Sequence, residues 1–306
     1  MRRASLVLLF TLIFGLLVTG VARAQATRTV IDGLGRKVTL EGTPDNVVTT
    51  IASTTEIVLD LGLDERLVGV PDLTQHLSYV PELQAKAESK TKVGGFKLSM
   101  EKIASLNPDL VVLDASAQQG TIDKIENLGA TVYAAGSKNM DAVQETVLEL
   151  GYLTGTLERA EKIVGGMVYK QFRLAEAIDR LDSKKKVFYT VSPQMYTPGG
   201  NTFVGQVLEM AGLNNVFSDV SGFKPVSTEE IVQRNPELII GTEDMGLSKA
   251  ELKKKVGMDD VEAVKNDAVM LLASADASLL NQPGTKIVDG AINLFENVYN
   301  EEVDLG

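Results

Sequence analysis

The feature that most restricts what this chain can fold into is an internal repeat. Ser99-Met-Glu-Lys-Ile-Ala-Ser-Leu-Asn-Pro-Asp-Leu-Val-Val112 returns 128 residues later as Ser227-Thr-Glu-Glu-Ile-Val-Gln-Arg-Asn-Pro-Glu-Leu-Ile-Ile240. Ser, Glu, Ile, Asn, Pro and Leu keep their places, and Val is exchanged for Ile. Upstream, Gly95-Phe96-Lys97 faces Gly222-Phe223-Lys224 with a one-residue slip, and Leu59-Asp-Leu-Gly-Leu63 resembles Glu209-Met-Ala-Gly-Leu213. A repeat on this scale predicts two copies of one lobe.

Each copy has a direct physical reading. Ser99 and Ser227 are candidate N-caps, followed by an acid in the first turn, where the helix dipole favours negative charge. The helix stops at Asn-Pro because the residue before proline avoids the helical region. The apolar runs Leu110-Val-Val-Leu113 and Leu238-Ile-Ile240 then read as strands buried on both faces. Asn46 to Ala52, Leu67 to Val70, Thr131 to Ala134, Lys186 to Val191 and Val269 to Leu272 are also strand-like, and Ser53-Thr-Thr-Glu56 reads as a capping box opening a helix from Ile57. Alternation of helices and buried strands predicts an α/β fold with mainly parallel sheets.

From Thr156 to Leu181 the apolar residues follow helical spacing, giving a strut about 37 Å long between the lobes, with Gly165-Gly166 as its weak point. The expected organisation is a first lobe over 25–138, a helical connection over 139–183 and a second lobe over 184–306. Residues 1–24 have the form of a secretory signal: Met1-Arg2-Arg3, an uncharged run from Ala4 to Ala22, and the small-x-small site Ala22-Arg23-Ala24. Cleavage there removes three arginines and takes the formal charge from −11 to −14. Such acidity disfavours a nucleic-acid partner. The absence of cysteine excludes disulfides, a thiolate nucleophile and a lipoprotein anchor.

Taken in order, Thr55-Glu-Ile-Val-Leu-Asp-Leu-Gly-Leu63, both Ser-x-Glu-x-Ile segments, Tyr196-Thr-Pro-Gly-Gly-Asn-Thr-Phe203 and Gln282-Pro-Gly-Thr-Lys-Ile-Val-Asp289 resemble the periplasmic substrate-binding proteins of ABC importers for ferric siderophores, haem and vitamin B12. The resemblance implies two duplicated α/β lobes joined by one long helix, and a soluble, monomeric periplasmic protein that catalyses nothing. Its partners would be a permease dimer with its ATPase. Glu101 and Glu229 match the acids with which such proteins dock onto that permease.

The ligand of a two-lobed α/β protein is expected where strand ends converge. The candidates are Ser53, Thr54, Phe96, Lys97 and Ser116 in the first lobe, and Tyr196, Phe203, Phe223, Lys224 and Asp276 in the second. Aromatic rings would stack on a flat chelate and the lysines would meet carboxylates. The resemblance implies a bulky metal complex, with the paired lysines favouring a ferric siderophore, and with Asp276 and the Tyr-Thr-Pro-Gly-Gly segment pointing to cobalamin. Positions that supply axial ligands to haem in relatives are Gly95 and Pro193 here. His76, the only histidine, is either an exposed loop residue or an axial ligand on a mobile loop from Leu73 to Tyr79. No cofactor is expected beyond the transported complex. No nucleophile elbow, phosphate loop or zinc-hydrolase helix is present, so an enzyme is not expected; a sensor signalling to a membrane partner would have the same chain.

Overall fold

Apolar stretches bounded by turn residues become the strands of two parallel sheets in the computed structural model, which describes residues 26–95, 97–116, 118–256 and 260–306. The expected signal segment, residues 1–24, lies outside the described residues, as does Phe96.

The first lobe begins with an antiparallel hairpin, β1 (Thr27–Ile31) and β2 (Lys37–Glu41). It continues through β3 (Val47–Thr49), α1 (Ala52–Asp60), β4 (Leu67–Val70), α2 (Pro81–Glu88), β5 (Thr91–Lys92), α3 (Met100–Ser105), β6 (Leu110–Asp114), α4 (Ile122–Glu126) and β7 (Thr131–Ala135). Helices α5 (Met140–Thr154) and α6 (Leu157–Ile178) lead to the second lobe. There follow β8 (Lys186–Tyr189), β9 (Tyr196–Pro198), α7 (Phe203–Met210), β10 (Asn214–Asn215), β11 (Phe223–Pro225), α8 (Thr228–Arg234), β12 (Leu238–Thr242), α9 (Lys249–Val256), α10 (Glu262–Lys265), β13 (Val269–Leu272), α11 (Ser274–Asn281) and α12 (Ile287–Tyr299).

The duplication is visible in topology. The first sheet runs β5-β4-β3-β6-β7 and the second β10-β8-β12-β13, with every pairing parallel. Without the edge strand β5 the two orders are the same, and β6 and β12, the strands of the sequence repeat, occupy equivalent central positions. Ser99 and Ser227 cap α3 and α8 by accepting from the third amide of each helix. Asn107 and Asn235 end both helices in the left-handed region, at φ 45° and 44°, a conformation asparagine tolerates better than most residues.

Both sheets are buried on two faces. Val47, Leu110 and Val112 join one apolar cluster of the first lobe while Val48, Val111 and Leu113 join another on the opposite side. Leu238 and Ile240 likewise face away from Ile239. Each such side chain contributes about 1.5–3 kcal/mol on burial.

The sequence pattern misplaces the start of α1. The helix begins at Ala52, and its N-cap is Ile51 with no side-chain cap. Thr54 and Thr55 turn their hydroxyls back to the Ile51 carbonyl, at 3.1 and 2.9 Å, so Ser53-Thr-Thr-Glu56 is helix and not a capping box. The interlobe helix α6 is shorter than expected at 22 residues, about 33 Å, and runs unbroken through Gly165 and Gly166. Its two ends serve different cores: Ala160 packs in the first lobe, and Met167, Leu174 and Ala177 in the second.

Candidate functional site

The carboxyl ends of the parallel strands face one another across a cleft of about 1260 Å³. From the first lobe, Thr50 and Ser53 follow β3, Ser116 follows β6, and Gly136 and Lys138 follow β7. From the second, Val191 follows β8, with Phe203 at the start of α7, Phe223 in β11, and Gln282 and Pro283 between α11 and α12. This is the crevice position that open α/β sheets give to ligands.

Its polar wall is built largely of acceptors. Asp114, the last residue of β6, accepts from the Ser116 amide at 2.9 Å, from Ser116 Oγ at 2.6 Å and from Ser137 Oγ at 2.9 Å. Glu149 of α5 accepts from the Tyr133 hydroxyl at 2.5 Å. Burial pushes the Glu149 carboxyl up, the Tyr133 hydrogen bond draws it partly back, and Glu145 and Asp32 add to the rise. Glu145 completes this stretch of wall, and Asp32 is paired with Arg36 at 2.8 Å. Lys138 is the one Lys or Arg among the described lining residues, against four carboxylates.

Of the residues expected here, Ser53, Ser116, Phe203 and Phe223 line the cleft, as does His76. Thr54 is buried behind the wall, where its hydroxyl donates to the Ile51 carbonyl. Lys97, Tyr196 and Lys224 are exposed and outside the lining. Tyr196 and Lys224 belong to the two-stranded β9–β11 ribbon, in which Lys224 pairs with Thr197. Asp276 faces α12, where Asn293 Nδ2 donates to it at 3.2 Å. The Leu73 to Tyr79 segment is a wall and not a free loop: Thr74–Leu77 is a short 3-10 turn, Leu77 is fully buried, and Tyr79 donates to Glu56.

Glu101 and Glu229 are exposed in the first turns of α3 and α8, which leave the cleft side of their sheets. Among the described residues neither has an ion-pair or hydrogen-bond partner. No group of three metal-ligating side chains able to hold an ion occurs among the described residues, and none of their helices is long and apolar enough to cross a membrane.

Two sets of residues escaped the sequence reading. Asp114, Glu145 and Glu149 carry the charge of the cleft; Asp114 was findable, since it ends a strand beside Ser116. Glu56 lies beneath the floor, fully buried, and joins the lobes through Thr285 and the Lys286 amide at 2.7 and 2.9 Å. In sequence Glu56 reads only as the end of a capping box, between Ser53-Thr-Thr and Ile57-Val-Leu-Asp60, and nothing local marks it as a link between lobes.

Comparison with known proteins gives a consistent result. A family model described as periplasmic binding protein matches residues 47–275. An uncharacterized ABC transporter substrate-binding lipoprotein of Bacillus subtilis, YvrC, is 30% identical over 279 residues, covering 89% of this chain and 85% of the relative. A cobalamin-binding protein of Halobacterium salinarum is 27% identical over 282 residues, covering 89% of this chain and 74% of the relative. Among solved structures, a possible iron-binding periplasmic solute-binding protein of Staphylococcus epidermidis is 28% identical, with a TM-score of 0.71 over 84% of this chain and 99% of that one.

Proposed function

This chain belongs to the periplasmic binding protein family, and from that premise we propose that it captures a corrinoid in the interlobe cleft and delivers it to an ABC importer. It is a binding protein and not an enzyme, as its relatives are. The observation that carries the choice of ligand is the charge of the cleft: with Asp32 paired to Arg36, Asp114, Glu145 and Glu149 stand against a single Lys138. A corrinoid is a bulky macrocycle fringed with carboxamide N–H donors, which suit acceptor carboxylates. A ferric catecholate is an anion, and each unit charge held about 6 Å from a carboxylate would be opposed by about 3 kcal/mol at an effective dielectric of about 20.

The lysines that favoured a ferric siderophore, Lys97 and Lys224, stand outside the lining and leave that reading without its cations. The cleft of about 1260 Å³ exceeds the roughly 300–1,000 Å³ of sites for drug-sized ligands, as a macrocycle requires. Phe203 and Phe223 offer stacking faces from the second lobe. The cobalamin-binding relative supports the same choice; the solved neighbour, described as possibly iron-binding, favours a ferric complex as the second reading.

Delivery follows from the duplication. Glu101 and Glu229 present one unpaired acid per lobe, a pseudo-two-fold arrangement that suits basic pockets on the two halves of a permease dimer. The protein acts as a monomer outside the cytoplasmic membrane, released by cleavage after Ala24, and needs no cofactor beyond its cargo. Absorbance-monitored titration with cyanocobalamin, haem and ferric catecholate, hydroxamate and citrate complexes tests the ligand. Saturable binding of cyanocobalamin with at least tenfold preference, about 1.4 kcal/mol, is expected. Preference for a ferric anion refutes the charge argument.

A further inference from the structure

Below the cleft floor, Glu56 of α1 contacts three things at once. Tyr79 donates its hydroxyl to Oε2, the Lys286 amide donates to Oε1 at 2.9 Å, and Thr285 Oγ1 lies 2.7 Å from Oε1. Thr285 Oγ1 is also in hydrogen-bond contact with Asp60 Oδ2. A hydroxyl carries one proton and cannot donate to two carboxylates, so one of its two contacts must be made by a proton on a carboxyl group. Asp60 has a cation, Lys286 Nζ at 3.2 Å, whereas Glu56 has none among the described residues and is fully buried. The missing proton therefore belongs on Glu56.

The elements so joined are three walls of the cleft. Ile51 to Ser53 start α1, Leu73 and His76 belong to the turn that Tyr79 closes, and Gln282 and Pro283 precede Thr285; all of them line the cleft. We propose that Glu56 is the positioning residue of the ligand site: held as a neutral acid, it clasps α1 and the Tyr79 turn of the first lobe to the Gly284–Lys286 segment of the second. The claim rests on the reading that this cleft holds the ligand, but not on which ligand it is. Complete burial pushes the Glu56 carboxyl up by more than its hydrogen bonds draw it down, and Asp60 adds to the rise. The other titratable groups facing the cluster are Tyr79, Lys286 and Arg159 of α6, which reaches the Asp60 carbonyl.

The test compares wild type, Glu56→Gln, Glu56→Ala and Thr285→Val by amide hydrogen exchange at matched pH, without ligand and then with cyanocobalamin. Loss of the clasp in Glu56→Ala and Thr285→Val is expected to raise exchange about tenfold at the Lys286 amide and also across residues 74–80 in the opposite lobe, with cyanocobalamin affinity falling about as much. Glu56→Gln, neutral and of the same size, stays closer to wild type than Glu56→Ala in protection and affinity: its Oε1 accepts from the Lys286 amide, and its Nε2 donates to the Tyr79 hydroxyl, which then accepts. Raising pH loosens wild type more than Glu56→Gln, because only wild type has a carboxyl proton at this position to lose. Should Glu56→Ala not fold, Thr285→Val makes the same break from the other lobe. Loosening confined to one lobe, or a Glu56→Gln variant as loose as Glu56→Ala, overturns the proposal. Normal exchange behaviour with no cyanocobalamin binding in any variant would refute the corrinoid reading alone.

Discussion

Gly284 offers a sharp test of how tightly the lobes are clasped, because the space its missing side chain would occupy is filled by the Glu56 carboxyl group. A Cβ built there would lie 2.6 Å from Oε1 and 2.7 Å from both Cδ and Oε2, where ordinary contact begins at 3.4 Å. Gly284→Ala thus creates three overlaps with a buried group that has no solvent to swing into. Gly284 is not in the left-handed region, so the penalty is steric and not conformational. Overpacking of this kind costs about 1–3 kcal/mol. Displacing the carboxyl from one or two of its neutral hydrogen bonds adds about 0.5–1.5 kcal/mol each. The expected destabilisation is about 2–4 kcal/mol, or about 4–8 °C in the melting temperature of a chain this size. Urea and thermal unfolding would measure it, together with the double variant Gly284→Ala/Glu56→Ala. Removing the carboxyl vacates the space, so the double variant should be at least about 1 kcal/mol more stable than the sum of the singles. A single variant within about 0.5 kcal/mol of wild type, or strict additivity, would show that Glu56 is not wedged between the lobes.

Reversing the docking acids, Glu101→Lys with Glu229→Lys, should abolish transport and stimulation of the importer's ATPase while ligand affinity stays within about twofold; lost affinity would place these residues in the site instead. Asn107→Val should cost about 1–2 kcal/mol for forcing a β-branched residue to φ 45°, and Asn107→Gly should be nearly neutral, both read by urea unfolding. Glu149, held above its ordinary range by burial, binds its proton more tightly folded than unfolded. Stability should therefore fall as pH rises from its ordinary value, near 4.5, toward the folded one, and Glu149→Gln should flatten that part of the profile; an unchanged slope would remove Glu149 from the titrating groups.

The fold was legible wherever one local pattern decided the outcome. Leu67 to Val70 and Val269 to Leu272 are strands with the boundaries their apolar runs suggest, and the duplicated Ser-x-Glu helices end at their Asn-Pro steps. The site was less legible because facing is not a local property. Lys97 and Lys224 repeat with the lobes, yet β11 pairs with β9 in a side ribbon and carries Lys224 away from the cleft. Asp276 and Asp114 look alike in sequence. Only the second ends a central parallel strand, and the first is spent on Asn293 of α12. Ser53-Thr-Thr-Glu56 has the residues of a capping box, but Glu56 hydrogen-bonds 229 residues away, a partner that no window along the chain contains.

These connections also bear on how far the lobes can move. Further links cross between them besides the clasp at Glu56. Helix α6 is packed into both cores, Val143 of α5 packs in the core of the second lobe, and Gln206 of α7 donates to the Lys138 carbonyl at 3.1 Å. Hinge closure needs a few residues whose backbone can absorb a large rotation, with little packed around them. Here the axis of such a rotation would pass through helix α6, which is packed into both cores along one face. Rotation about it would pull Thr285 from Glu56, leaving both buried oxygens unpaired, a penalty of about 1–3 kcal/mol for each. Ligand binding should then leave the radius of gyration unchanged within the precision of small-angle scattering in wild type, and Thr285→Val should contract measurably when cyanocobalamin is added. Contraction of wild type on loading would mean that the clasp opens in the working cycle and that the two lobes close as a hinge.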